Sequence, residues 1–156
     1  MPSTAARRLL QDLKSIKRDI LTLISTAPVD ENIFVWNAVI IGPARTPYEY
    51  GIFKLTLEFS DKYPNEPPIV KFIDEMFHPN IQSDGRVLHD ILRHKWNPSY
   101  SVTDLLMAIQ SWLYEPDVYS FGLNPYATQV YMINEKEFNR RVKLTVEKSW
   151  GSTNSS

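Results

Sequence analysis

Three stretches with strand character follow one another between residues 33 and 73, joined by connections that proline and glycine punctuate. Parallel neighbours would need crossovers of a dozen residues or more, usually a helix, so this order restricts the chain to an antiparallel meander. The first stretch, Ile33-Phe34-Val35-Trp36-Asn37-Ala38-Val39-Ile40-Ile41, is dense in β-branched and aromatic residues and stops at Gly42-Pro43. In the second, Phe53, Leu55, Leu57 and Phe59 alternate with Lys54, Thr56 and Glu58, the period of a strand with one buried face. Prolines between Pro64 and Pro68 then force an extended connection, because proline lacks an amide donor and restricts its predecessor. Ile69-Val70-Lys71-Phe72-Ile73 is the third stretch, and Ser25–Asn32 reads as a polar connection ahead of the first.

A sheet with one apolar face must be covered, and the remaining segments supply helices. From Ser3 to about Leu23, the apolar residues Leu9, Leu10, Leu13, Ile16, Ile20 and Leu23 fall at helical spacing. Arg7, Gln11, Lys14 and Arg18 form a mainly basic stripe on that helix, which by itself reads as an ordinary solvated face. Ser101 caps a second helix with Asp104 in its first turn, Val102, Leu105, Leu106, Ile109 and Leu113 on its apolar face, and Pro116 beyond its end. Tyr126–Asn134 and Glu135–Trp150 read as two more. The order is helix, meander, irregular segment, helices, an α+β fold.

With 156 residues the chain has the length of one domain, predicted over residues 1–150, with the small polar stretch 151–156 as a disordered tail. A formal charge of −1 and the absence of any long basic run argue against direct nucleic-acid binding. No run approaches the ~18 apolar residues needed to cross a bilayer, so a soluble monomer of the cytoplasm, the nucleus or both is expected, without membrane contact. There is no cysteine, which excludes a disulfide framework and thiolate metal ligands.

The segment 74–100 is long and irregular for a compact domain, a property often tied to function. It contains His78-Pro79-Asn80 followed by Asp84-Gly85 and then Leu88-His89-Asp90-Ile91-Leu92. This pattern resembles that of the ubiquitin-conjugating enzymes, in which His-Pro-Asn is followed, after a turn on Asn/Asp-Gly, by Cys-Leu-Asp-Ile-Leu. Tyr63-Pro64-x-x-Pro67-Pro68, Trp96-x-Pro98 and Gly42-Pro43 agree in order and spacing, so the resemblance reaches from the first helix to about Trp150. Ala6-Arg7-Arg8-Leu9 and Tyr63-Pro64-Asn65 are most similar to the subgroup associated with DNA repair and histone ubiquitylation. The resemblance implies the same α+β architecture, with a meander of about four strands.

It also implies that Leu88 stands where the family has its nucleophilic cysteine. Cysteine suits that role because a useful fraction is thiolate near neutral pH and its thioester stays reactive toward amines. An aliphatic side chain supplies neither property. Asn80 would steady the loop and stabilise an oxyanion, a role suited to a fixed amide donor. With the nucleophile absent, His78 and Asn80 read equally as parts of a structural turn. Ser120 falls at the family's gating position beyond the second helix. His89 is a nucleophile in principle, but an acyl-imidazole hydrolyses readily. Ser83 has no evident base, and His78, His89, His94 and Asp90 match no familiar metal spacing, so neither a metal nor a cofactor is expected.

By resemblance, three elements form the surface for the activating enzyme and RING-type ligases: Arg7, Arg8, Gln11 and Lys14; Tyr63, Pro64 and Asn65; Trp96, Asn97, Pro98 and Ser99. Tyr63 and Trp96 also have a plain core-packing explanation. Ser25 matches a sheet-side position that binds ubiquitin noncovalently. Ile20-Leu21 replace the family's usual proline pair, so the first helix is expected to run longer or exit differently. The expected function is that of a catalytically inactive variant, not an enzyme as written, that binds ubiquitin, a RING ligase, an active conjugating enzyme or the activating enzyme and modulates transfer. The alternatives are a close relative or substituted form of an active conjugating enzyme, which carries ubiquitin as a thioester and passes it to substrate lysines, and a structural adaptor outside the ubiquitin system.

Overall fold

A computed structural model describes residues 3–19 and 21–151. The elements are α1 (Thr4–Arg18), β1 (Ile24–Val29), β2 (Asn32–Ile41), β3 (Ile52–Glu58), β4 (Ile69–Phe72), a 3-10 turn (Asp90–Leu92), α2 (Val102–Tyr114), α3 (Pro125–Ile133) and α4 (Glu135–Gly151). The sheet is an antiparallel meander in the order β1-β2-β3-β4. Its register follows the alternation in the sequence. Ile40 faces Phe53, Ala38 faces Leu55 and Trp36 faces Leu57 between β2 and β3, while Leu55 faces Phe72 and Leu57 faces Val70 between β3 and β4. All of these side chains are buried, so a slip of one residue would turn a whole row of core side chains into water. They share one core cluster with Leu105, Leu106, Ile109 and Leu113 of α2 and with Phe138, Val142 and Val146 of α4.

Two expectations need correction. The segment read as a polar connection, Ser25–Asn32, holds most of β1 and the turn into β2. Its Ser, Ala and Pro residues carry little strand preference, but β1 is an edge strand with a single hydrogen-bonding neighbour, the setting in which proline is tolerated. Pairing with β2 therefore decided its conformation. The second correction is to α1, which ends at Arg18 and does not reach Leu23. Asp19 caps it in an extended conformation, its N–H bonded to Ser15 O and its carboxylate accepting from Ser15 Oγ and from Thr103 Oγ1 of α2. Leu23 has a positive φ of 67° and is exposed, outside any helix. Ile20 lies outside the described residues, as does the expected tail beyond Gly151.

The helix α2 starts as its sequence implies. Ser101 Oγ accepts from Asp104 N, and the Asp104 carboxylate accepts from Ser101 N, a reciprocal cap. This fixes the start of α2 directly behind the 96–100 loop. No helix among the described residues is long and apolar enough to cross a membrane.

Candidate functional site

The segment from Asp74 to Tyr100 has little regular structure, so its backbone polar groups must find partners elsewhere. His78 supplies two of them. Its Nδ1 accepts from the Asn80 N–H at 2.9 Å, which leaves the proton on Nε2, and Nε2 donates to Trp112 O at the end of α2 at 2.6 Å. The ring is fully buried, and that burial lowers its pKa to about 4 despite the opposing bond to the Trp112 carbonyl. It is a neutral strut between loop and helix.

Asn80 is a second strut. Its Nδ2 donates to Asp117 O at 2.8 Å and its Oδ1 accepts from Asp117 N at 2.9 Å, so one side chain holds both backbone groups of a residue in the crossover after α2. Its own carbonyl accepts from the Leu88 N–H at 3.0 Å. The segment before Leu88 is thereby tied to Leu88 and to the crossover facing it. Replacing Asn80 by alanine is expected to lower stability by about 2 kcal/mol, because the Asp117 amide and carbonyl lose their partners together. Urea unfolding measures the loss, and faster hydrogen exchange at the Asp117 amide would place it in the crossover.

Leu88 is half-buried and lines a shallow hollow beside β4. The next residue is turned the other way. His89 stacks on Trp112 with ring centroids 4.0 Å apart and planes 18° from parallel. Its Nδ1 accepts from the Ile91 N–H at 3.0 Å, and its Nε2 donates to Asp117 Oδ2 at 2.7 Å. Both ring nitrogens are engaged, and no lone pair is left for attack on a carbonyl or for a metal ion. The same holds for His78. Asp90 is buried and accepts from Phe121 N, while its own N–H donates to Ser120 Oγ at 2.9 Å. Burial pushes its carboxyl up, but the bonds from Phe121 N–H and with the Ser120 hydroxyl, and the charges of His94 and Lys95, together hold it below the usual carboxylate range. Ser120 is buried, facing Asp90 and not the solvent. Arg93 donates to Phe121 O and Gln82 Nε2 to Gly122 O, so the whole crossover is stitched to the loop. Asp117, which sequence reasoning did not single out, is the hub of this network; no local pattern marks it.

The three expected partner-facing elements do come together. Trp96 Nε1 donates to Pro64 O at 2.8 Å, joining the two loops. Arg8 binds Asp12 at 3.0 Å and reaches across to Pro98 O at 2.6 Å and Tyr100 O at 2.7 Å, joining α1 to the second loop. Tyr63 is buried, its hydroxyl donating to Asp12 at 2.6 Å, and burial together with that bond keeps it protonated. The peptide bond between Tyr63 and Pro64 is cis. Arg7, Gln11, Lys14, Asn65, Asn97, Pro98 and Ser99 are exposed, Pro64 and Trp96 are half-buried, and Arg8 is held inward by its bonds. Arg8, Asp12 and Tyr63 thus fix the positions of the exposed residues. Ser25 is exposed on β1, at the sheet edge remote in strand order from β4.

Comparison with known proteins identifies the family. A family model described as ubiquitin-conjugating enzyme matches residues 8–146. Ubiquitin-conjugating enzyme E2 2 of Neurospora crassa is 48% identical over 150 residues, covering 96% of this chain and 99% of that relative. Its namesake in Fusarium solani gives the same values. Ubiquitin-conjugating enzyme E2 1 of Caenorhabditis elegans is 47% identical over 150 residues, 96% of this chain and 78% of that protein.

Proposed function

The chain belongs to the ubiquitin-conjugating enzyme family, and from that premise we propose that it is a member without acyl-carrier activity, one that binds components of the ubiquitin pathway and modulates transfer by others. The observation that carries this reading is Leu88 at the nucleophile position of a chain with no cysteine at any of its 156 positions. Thioester formation needs a sulfur lone pair to attack the activated carboxyl carbon, and leucine has none. His89, the nearest heteroatom nucleophile in sequence, has both ring nitrogens in hydrogen bonds.

Two features support retained binding. The surface built from α1 and the 63–65 and 96–99 loops is braced from inside by Arg8, Asp12 and Tyr63, so it keeps its shape without any contribution from position 88. The contacts of Asn80 and His78 likewise keep the central loop folded. The partners proposed are ubiquitin bound noncovalently, RING-type ligases, and an active conjugating enzyme or the activating enzyme. Identity close to half over nearly the full chain favours a second reading, a substituted form of an active enzyme.

A reconstituted reaction containing activating enzyme, an active conjugating enzyme, a RING ligase and ubiquitin tests the proposal. Excess of this chain is expected to change the rate of ubiquitin-chain formation, and isothermal titration should show it binding the RING domain or ubiquitin. An unchanged rate together with no binding to either would sink this reading and favour an adaptor outside the pathway.

A further inference from the structure

A hollow of about 620 Å³ lies between α4 and the loop that joins β2 to β3, and it shares no residue with α1, with the segment 74–100 or with the crossover after α2. One wall is the face of α4 that carries Glu135, Asn139, Lys143, Glu147 and Trp150. From Glu135 to Trp150 this wall runs about 22 Å. Arg45, Pro47 and Tyr50 of the loop form the other. Two large rings stand in water there: Tyr50 is 72% exposed and Trp150 45%. Their positions are fixed. Trp150 Nε1 donates to Tyr50 O at 2.8 Å, while the neighbouring Ser149 accepts from Ile52 N at 3.0 Å and, through its carbonyl, from Lys54 Nζ at 2.7 Å.

The lining selects among visitors. The loop backbone closes on itself, with Arg45 N donating to the Glu49 carboxylate, Glu49 N to Thr46 O and Gly51 N to Tyr48 O, and Tyr50 O is taken by Trp150. A visiting strand therefore finds no free backbone ladder to join. An amphipathic helix wants a continuous apolar stripe, but Val146 is the single aliphatic side chain that the α4 wall contributes. Charge favours neither sign, since Arg45 and Lys143 stand against Glu49, Glu135 and Glu147. What remains is aromatic surface beside hydrogen-bond donors. A polyproline II helix matches both, because its pyrrolidine rings pack on aromatic side chains and its backbone carbonyls have no partner within the segment.

We infer that this groove docks a proline-rich segment of a partner protein, held as a polyproline II helix with its rings on Tyr50 and Trp150 and its carbonyls toward Arg45, Asn139 and Lys143. About seven residues, at roughly 3.1 Å each, match the α4 wall in length. The inference does not depend on the chain modulating ubiquitin transfer.

NMR of the isotope-labelled full chain, titrated with a heptaproline peptide at low and at high salt, provides the test. Saturable shifts are expected at the Trp150 indole N–H and at the amides of Tyr50, Asn139 and Lys143, with an affinity that salt leaves nearly unchanged. Tyr50→Gly and Trp150→Ala should each weaken binding at least about tenfold. Glycine suits the positive φ of 71° at position 50, so the first variant removes a ring without straining the loop. Circular dichroism checks that both variants fold, and should Trp150→Ala unfold, Tyr50→Gly decides alone. Absence of saturable shifts, shifts confined to another face, unchanged affinity in Tyr50→Gly, or equal binding of a glycine-serine, oligoglutamate or oligolysine peptide of the same length would each overturn the inference.

Discussion

Replacing Leu88 by cysteine is expected to yield a thiol-sensitive ubiquitin adduct when the variant is incubated with activating enzyme, ubiquitin and ATP, where the unaltered chain yields none. The change is from no product to a visible band on a non-reducing gel. Its basis is that everything around position 88 is held independently of the side chain there. The Leu88 N–H is bonded to Asn80 O, and Asn80 is bonded at both ends to Asp117. Leu88 is only half-buried, so truncation to cysteine opens no enclosed cavity and leaves a sulfur within reach of solvent and of an acyl donor. An exposed thiol retains enough thiolate near neutral pH to attack. If a variant shown to be folded stays uncharged, the α1 surface no longer receives the activating enzyme, and the proposal loses that partner. A charged variant points to a protein silenced by one side chain on an intact frame.

Acidification is expected to cost the native state about 3 kcal/mol between pH 6.5 and 4 through His78 alone. Its pKa is lowered to about 4 in the fold by burial, against an ordinary value near 6.5 in the unfolded chain. In this window the unfolded chain binds a proton that the native chain refuses, so stability is full above pH 6.5, falls as the pH drops, and levels off below about 4. The ring is completely buried, so solvent screening does not reduce the figure. Carboxylates such as Asp90, held below the usual range, add their own loss at still lower pH. Urea unfolding at pH 7.5 and 4.5 reads the effect, and His78→Gln should flatten the difference. NMR of the imidazoles checks the cause: His78 must remain neutral, with its proton on Nε2, at pH 5. Titration near 6.5 would mean that the strut to Trp112 is open in solution.

The same structural logic explains why Leu88 and His89 are compatible with a stable domain. Both differ from the Cys-Leu pair that the resemblance implies, yet Leu88 rests on an apolar hollow and His89 fills a slot between Trp112 and Asp117. The fold is anchored by buried struts whose partners are backbone groups, and backbone groups do not depend on which side chain occupies position 88. The shape of this region is therefore separable from the side chain at position 88.

What the sequence by itself determined was whatever a short-range period or a distinctive residue type encodes. The alternation from Phe53 to Phe59 set the buried face of β3, and Ser101 with Asp104 set the start of α2. The His78-Pro79-Asn80 run with Leu88 located the site. Tertiary structure decided the rest, because the determining partners are far apart in the chain. β1, with Ser, Ala and Pro among its six residues, is held as a strand by β2 beside it, and α1 stops where Asp19 meets Thr103. Arg8, which the resemblance groups with the outward-facing residues of α1, is turned inward by carbonyls about ninety residues away. His89 is neither nucleophile nor ligand, because Asp117, Trp112 and its own loop claim its ring. A hydrogen bond that spans much of the chain leaves no periodic trace in the residues between its ends, so only the folded arrangement can display it.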